Sequence, residues 1–157
     1  MRIGSGLDAH RFGPGRPLML GTVEVEHDRG LVGHSDGDVV AHALCDAILA
    51  AAGGPDIGVL FPSGDARWRG VTGSRMLEEV RDTVAATGWR LVNAHAVVVC
   101  ERPRLAPRRD DMQRAMSSLL GAPVTVHATT TDGMGFTGRG EGVACQAVAL
   151  LTRDGEG

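Results

Sequence analysis

Residues 34–55 read His34-Ser-Asp-Gly-Asp38-Val-Val-Ala-His42-Ala-Leu-Cys-Asp46-Ala-Ile-Leu-Ala-Ala-Ala-Gly53-Gly-Pro55. The stretch predicts a helix from Asp38 to about Ala52, because Gly53-Gly54-Pro55 cannot continue one. Val40, Leu44, Ala47, Ile48 and Ala51 recur at helical spacing and form its buried face. Asp38, His42 and Asp46 stand at i, i+4 and i+8. Steps of four drift by only ~40°, so they form a polar stripe on roughly the opposite side. A turn-rich segment, residues 30–37, delivers the chain to this helix.

Outward from the helix, strands and further helices alternate. Residues 2–8 read as an extended strand and residues 18–26 as a strand or hairpin. Residues 55–73 carry Pro, Gly and Ser with little periodicity and read as a long loop, of the kind that tends to be functional. A second helix is expected over 74–87, stopped by Gly88, and a third over 108–120, stopped by Gly121. Residues 89–101, 124–131 and 143–152 read as strands, with a glycine-rich turn at 136–142. The order predicts a small α/β domain of α+β type, a mostly four-stranded mixed sheet with helices on one side. At 157 residues the chain is expected to form a single domain over 1–152, followed by a frayed tail at 153–157.

Composition removes whole chemistries. All 16 basic residues are arginine, and Tyr is also 0. Without lysine there is no Schiff base, no pyridoxal phosphate anchor and no Walker A phosphate loop. Six His and 19 carboxylates remain for proton and metal work. The net charge is −3 and no basic cluster is interleaved with aromatics, which argues against a nucleic-acid partner. Cys45, Cys100 and Cys145 lie in apolar stretches and read as reduced core thiols of a cytoplasmic protein. No apolar run reaches membrane-spanning length, so no membrane partner is expected.

Four constellations carry candidate chemistry. On a strand, Asp8 and His10 point to one side and form a chelate-like pair, or a plain surface Asp–His pair. The helix start at residues 34–38 offers backbone N–H groups as a seat for phosphate, with Asp36 or Asp38 as alternative N-caps. Asp8, His10 and His42 would suit an open zinc site if they met in space. Thr129-Thr-Thr131-Asp132 fits a diphosphate with a hard cation, or a threonine-rich strand ending in an Asp-Gly turn. In Phe136-Thr-Gly-Arg-Gly-Glu-Gly142, Arg139 can bind an anion or pair with Glu141.

Taken together, these motifs resemble the 2-C-methyl-D-erythritol 2,4-cyclodiphosphate synthase family. The match runs through residues 6–10, 35–39, His42, Asp46, 56–58, Phe61-Pro62, 129–131 and 136–142, in family order and over nearly the whole chain. The resemblance implies a metal-dependent phosphorus–oxygen lyase of bacterial cytoplasm in the non-mevalonate isoprenoid pathway. It closes a cyclic diphosphate on a diphosphocytidyl substrate and releases CMP. It implies Zn²⁺ on Asp8, His10 and His42, and Mg²⁺ or Mn²⁺ on Asp132. His34 and Thr130 match groups that stabilise the transition state. Ser35, Asp56, Ile57 and Gly58 match the methylerythritol pocket, and Phe61 to Asp65 a substrate loop. Cys100, Arg104, Leu105 and Ala106, with Ala128 and Thr129, match the cytidine pocket. The family forms a homotrimer around a three-fold axis, with active sites between subunits. Phe136 and Arg139 match positions near that axis, where relatives can hold an isoprenoid diphosphate. The chain departs from the family pattern at Asp132, where glutamate is usual, at Gly133 and Arg104, where lysine is usual, and at Ser63 and Gly73-Ser74. A water-using zinc phosphoesterase and a non-catalytic isoprenoid diphosphate binder are the alternative readings.

Overall fold

A computed structural model describes residues 1–153. In chain order the strands are β1 (Arg2–Gly13), β2 (Leu18–Leu20), β3 (Val23–Val25), β4 (Gly30–Leu31), β5 (Trp89–Val99), β6 (Val124–Thr129) and β7 (Gly142–Arg153). The helices are α1 (Val39–Ala52), α2 (Ile57–Leu60), α3 (Gly73–Ala85), α4 (Arg109–Leu120) and α5 (Gly135–Gly138), with a 3-10 turn at Ala66–Trp68. The main sheet runs β4-β1-β7-β5-β6, and β2 and β3 form a separate hairpin. β5 and β6 are parallel, and the other three pairings are antiparallel. The mixed sheet therefore has the four long strands expected, plus a two-residue edge at β4. Arg153 is the last residue of β7, opposite Trp89, and the rest of the expected tail lies outside the described residues.

Strand alternation decides which face is covered. Val143, Cys145, Ala147, Ala149 and Leu151 of β7 are buried, as are Ala94, Ala96 and Val98 of β5. These side chains face α1, α3 and α4. The opposite face carries Ile3 and Leu7, each 73% exposed, and Val148 at 40%. All three cysteines are buried free thiols, as expected.

α1 begins and ends where its sequence dictates. Asp38 caps its start, accepting from the Val40 and Ala41 N–H groups, and Gly53 ends it in the left-handed conformation at φ 76°. Its environment differs from the expectation. Asp38, His42 and Asp46 do not line an open face: the hairpin turn covers Asp38, β1 and Ser35 cover His42, and Asp46 is half-buried between Gly6 and the start of α2. Eleven of its fourteen residues are buried, including His42. Asp38 is fully buried, and also accepts from Gly21 (2.9 Å) and Thr22 (2.6 Å) across the hairpin turn. Both turn residues have positive φ, 59° and 65°, as a two-residue hairpin loop of this twist requires. The segment 55–73 also differs from an unbroken loop. It holds α2 and the 3-10 turn, started by the side chains of Asp56 and Asp65.

Candidate active site

The helix-facing side of β1 reads Gly4, Gly6, Asp8, His10. A Cβ on Gly4 would lie 2.2 Å from the Ala47 carbonyl oxygen, and one on Gly6 2.1 Å from that of Ala43. The two glycines thus let β1 lie directly on the α1 backbone. That approach brings the next two inward side chains of β1 to His42. Asp8 Oδ2 lies 2.9 Å from both His10 Nε2 and His42 Nδ1, and the two nitrogens are 3.1 Å apart.

Outer partners orient both rings. His10 Nδ1 is 2.7 Å from the Val32 carbonyl, which can only accept, so that nitrogen carries the proton and Nε2 is free for the cluster. His42 Nε2 is 2.9 Å from Ser35 Oγ, which also accepts from the Gly37 N–H at 3.0 Å. One carboxylate oxygen and two imidazole nitrogens crowded together repel unless a proton or a cation lies between them. Histidines pinned through their far nitrogens are the usual arrangement of a metal centre. The donor set fits a metal ion such as zinc.

The electrostatics agree. Burial opposes ionisation of Asp8, but hydrogen bonds and charge from His10 and His42 outweigh it and hold the carboxyl well below the usual range. The hydrogen bond to Asp8 raises His10 against the opposing effect of burial.

The cluster opens into a cavity of about 470 Å³. His34, Ser35, Ile57, Gly58 and Phe61 line it, with Ser63, Trp68, Arg69, Val71 and Met76. Phe61 and Trp68 meet edge to face at 4.8 Å and make an apolar wall. Asp46, one turn beyond His42, accepts from the Ile57 N–H at 2.9 Å and so fixes α2 at the rim. Burial raises the Asp46 carboxyl. A second cavity, about 330 Å³, is lined by Cys100 to Ala106 with Ala128, Thr129 and Thr130. Burial pushes the Cys100 thiol up to about 11, so it stays protonated there at neutral pH.

A profile described as the YgbB family matches residues 1–152. The chain belongs to the YgbB family. It is 51% identical to a 2-C-methyl-D-erythritol 2,4-cyclodiphosphate synthase of Moorella thermoacetica, over 96% of this chain and 94% of that protein. A solved 2C-methyl-D-erythritol-2,4-cyclodiphosphate synthase in a CDP-bound form superposes with a TM-score of 0.88 at 39% identity, covering 96% of this chain and all of that one. The bifunctional IspDF of Campylobacter jejuni matches at a TM-score of 0.92 and 39% identity, over 97% of this chain and 42% of that larger one.

In this YgbB-family chain the remaining site residues divide. His34, Ser35, Ile57, Gly58 and Phe61 join the Asp8–His10–His42 cavity, whereas Thr130 lies in the other. In register, Ala9 pairs with Ala144, Ala144 with Val99, and Val99 with Thr129. Three strand spacings, ~14 Å, therefore separate the two regions at the same end of the sheet. Asp132 lies in the turn after β6, at φ 52°, and accepts from the Thr130 hydroxyl at 3.2 Å. Asp56 caps α2 outside the main cavity, and Asp65 is held by Arg67 at 2.6 Å. Phe136 is exposed, and Arg139 is engaged by Glu141 at 2.6 Å.

Of the two readings of the helix start, the N-cap reading holds. The start of α1 is not an open phosphate seat, because Asp38 already occupies the Val40 and Ala41 N–H groups. Trp68, Arg69, Val71 and Met76 were not legible as site residues, although a tryptophan in a turn-rich stretch is a signal. Arg16, which gathers three carbonyls of the loop carrying His34 and Ser35, gives no such signal.

Proposed function

We propose that this chain is a 2-C-methyl-D-erythritol 2,4-cyclodiphosphate synthase. It converts 4-diphosphocytidyl-2-C-methyl-D-erythritol 2-phosphate to the cyclic 2,4-diphosphate and CMP, as a phosphorus–oxygen lyase of the non-mevalonate isoprenoid pathway. The observation that carries the reading is the Asp8–His10–His42 cluster at the mouth of a cavity large enough for a small polyol.

In the reaction an oxygen of the 2-phosphate attacks the β-phosphorus. The bond from that phosphorus to the oxygen bridging it to the α-phosphorus breaks, and CMP departs with the bridging oxygen. The nucleophile is already an anion, so alignment and charge neutralisation replace a strong protein base. Zn²⁺ on Asp8, His10 and His42, and Mg²⁺ or Mn²⁺ on Asp132, would supply that neutralisation and a template for the phosphate oxygens.

The protein side is assigned as follows. Ile57, Gly58 and the Phe61–Trp68 wall hold the methylerythritol part and exclude water. Ser35 orients His42 and closes the same pocket, with Asp56 fixing the α2 turn beside it. Asp65 braces the segment that follows Phe61. Cys100, Arg104, Leu105 and Ala106, with Ala128 and Thr129, hold the cytidine. His34 and the Thr130 hydroxyl donate to oxygens that gain charge in the transition state.

Within one chain the two cavities lie some three strands apart. A homotrimer whose sites combine one cavity from each of two neighbours would bring a metal-bearing and a nucleotide cavity together, and the uncovered sheet face with Ile3, Leu7 and Val148 supports it. An isoprenoid diphosphate near Phe136 and Arg139 would have to compete with Glu141 for the guanidinium. We assign the protein to the bacterial cytoplasm; among the described residues no helix is long and apolar enough to cross a membrane. Residues 1–152 are taken as the single domain.

The test is ³¹P NMR of the purified protein with the diphosphocytidyl substrate, Zn²⁺ and Mg²⁺. Cyclic diphosphate plus CMP is expected. Inorganic phosphate in their place, or no turnover, would overturn the assignment.

A further inference from the structure

Arg16 stands in the turn between β1 and β2, with its side chain half-buried. One of its nitrogens, Nη1, lies 3.0 Å from the carbonyl oxygen of Leu31, 3.3 Å from that of Gly33 and 3.1 Å from that of Ser35. The intervening carbonyls are used elsewhere. Val32 accepts from His10 Nδ1 at 2.7 Å, and His34 accepts from the Gly70 N–H at 2.9 Å. Residues 31–35 therefore curve around the cation, with bends from Gly33 on, so that alternate carbonyls converge on it while the others serve the site and its rim.

This loop has no slack. A Cβ on Gly30 would lie 2.4 Å from the Pro17 carbonyl oxygen and 2.7 Å from Arg16 Cγ. A Cβ on Gly33 would lie 3.2 Å from His10 Cε1. Three carbonyl dipoles aimed at one point repel one another, so the arrangement depends on the positive charge they share. Nη1 carries two N–H groups for three acceptors, so at least one hydrogen is shared. Such charge-assisted bonds are stronger than neutral ones.

We propose that Arg16 is a positioning residue for the metal centre. By gathering the Leu31, Gly33 and Ser35 carbonyls it sets the Val32 carbonyl on His10 and the Ser35 hydroxyl on His42, and through them the orientation of both rings. The inference rests on the reading that Asp8, His10 and His42 hold zinc.

The experiment is Zn²⁺ titration of the metal-free full-length protein against a chromophoric chelator, with thermal unfolding of each metal-free variant alongside. Arg16→Ala is expected to weaken zinc binding about 10-fold, the low end of the cost of losing an outer partner of a ligand, because Arg16 acts through the Val32 and Ser35 partners of the rings. Arg16→Lys presents three N–H groups from one nitrogen on a stem one atom shorter, and is expected to stay within about threefold of wild type. Wild-type zinc affinity in Arg16→Ala would overturn the inference, and so would a lowered Tm with unchanged affinity, which marks a merely structural arginine. If Arg16→Ala does not fold, Arg16→Gln takes its place, and equal affinity of Arg16→Gln and Arg16→Lys overturns the inference. A wild-type protein that takes up no zinc overturns the metal reading itself, and the inference with it.

Discussion

His42 is buried in a helix, yet both of its nitrogens are engaged: Nδ1 faces Asp8 and His10, and Nε2 faces Ser35. Removing it takes one of three protein donors, not an outer support. His42→Ala is expected to weaken zinc binding by more than about 100-fold, beyond the range for outer partners, and to abolish turnover. Metal analysis of the purified variant checks this, and normal zinc stoichiometry would contradict the ligand assignment. The metal-free cluster also has a pH signature. His10 is raised above 6.5, so its contribution to stability is complete below that pH and is lost as pH rises through its folded value. Asp8 is held below 3.8, so its contribution is complete above that pH and is lost as pH falls through its folded value. The cluster's contribution in the metal-free protein is therefore expected to be greatest between pH 3.8 and 6.5. Zinc replaces the protons, so its stabilising effect should grow as pH rises through the His10 range. Tm measured across pH with and without zinc checks the crossover, and a zinc effect that shrinks with rising pH would contradict it.

At the scale of elements, the contact between β1 and α1 decides whether the cluster exists. Gly6 carries no side chain because the α1 backbone fills the space. Gly6→Ala must push the helix away from the strand that holds Asp8 and His10, while His42 rides on the helix. It is expected to cost at least about 1–3 kcal/mol, with a Tm lower by several degrees, and to weaken zinc binding as well. A variant with normal Tm and normal zinc affinity would show that the contact is looser than the geometry requires. The same elements mark what the sequence made legible. Helical spacing, Asp38 and the Gly53-Gly54-Pro55 stop locate α1, and alternation locates the long strands, because these signals are local. The burial of His42 was not legible, because it depends on β1 lying against α1 from a distant part of the chain and bringing Asp8 and His10 onto the ring. α2 was missed because a four-residue helix has no periodicity, and the role of Asp56 shows only as a cap. The metal cluster was legible as residue types through the family motif, whereas the support from Arg16 was not. It is made by backbone carbonyls, which leave no mark on residue identity.

For the whole molecule, the separation of the two cavities makes a test that needs no structure of the assembly. One chain mass is 16.4 kDa, so a trimer corresponds to 49.2 kDa, three times that figure, by sedimentation or light scattering. The assembly should fail when charge is placed on the uncovered sheet face, as in Leu7→Arg, whose site is 73% exposed in the single chain. Function can be tested without breaking the assembly. His42→Ala disables the metal-bearing cavity and leaves the second cavity intact. A double variant, Arg104→Ala with Thr130→Ala, disables the second cavity and leaves the first intact. Each alone should be inactive. If every site draws one cavity from each of two neighbours, co-expression of the two in equal amounts builds mixed trimers. A given site then has an intact metal-bearing cavity half the time and an intact second cavity half the time, which gives about a quarter of wild-type activity for random assembly. If both cavities of a site came from the same chain, the mixture would stay inactive, because no chain carries two good halves. Recovery near a quarter therefore supports the shared site, and an inactive mixture whose trimers are shown by mass to contain both chains contradicts it.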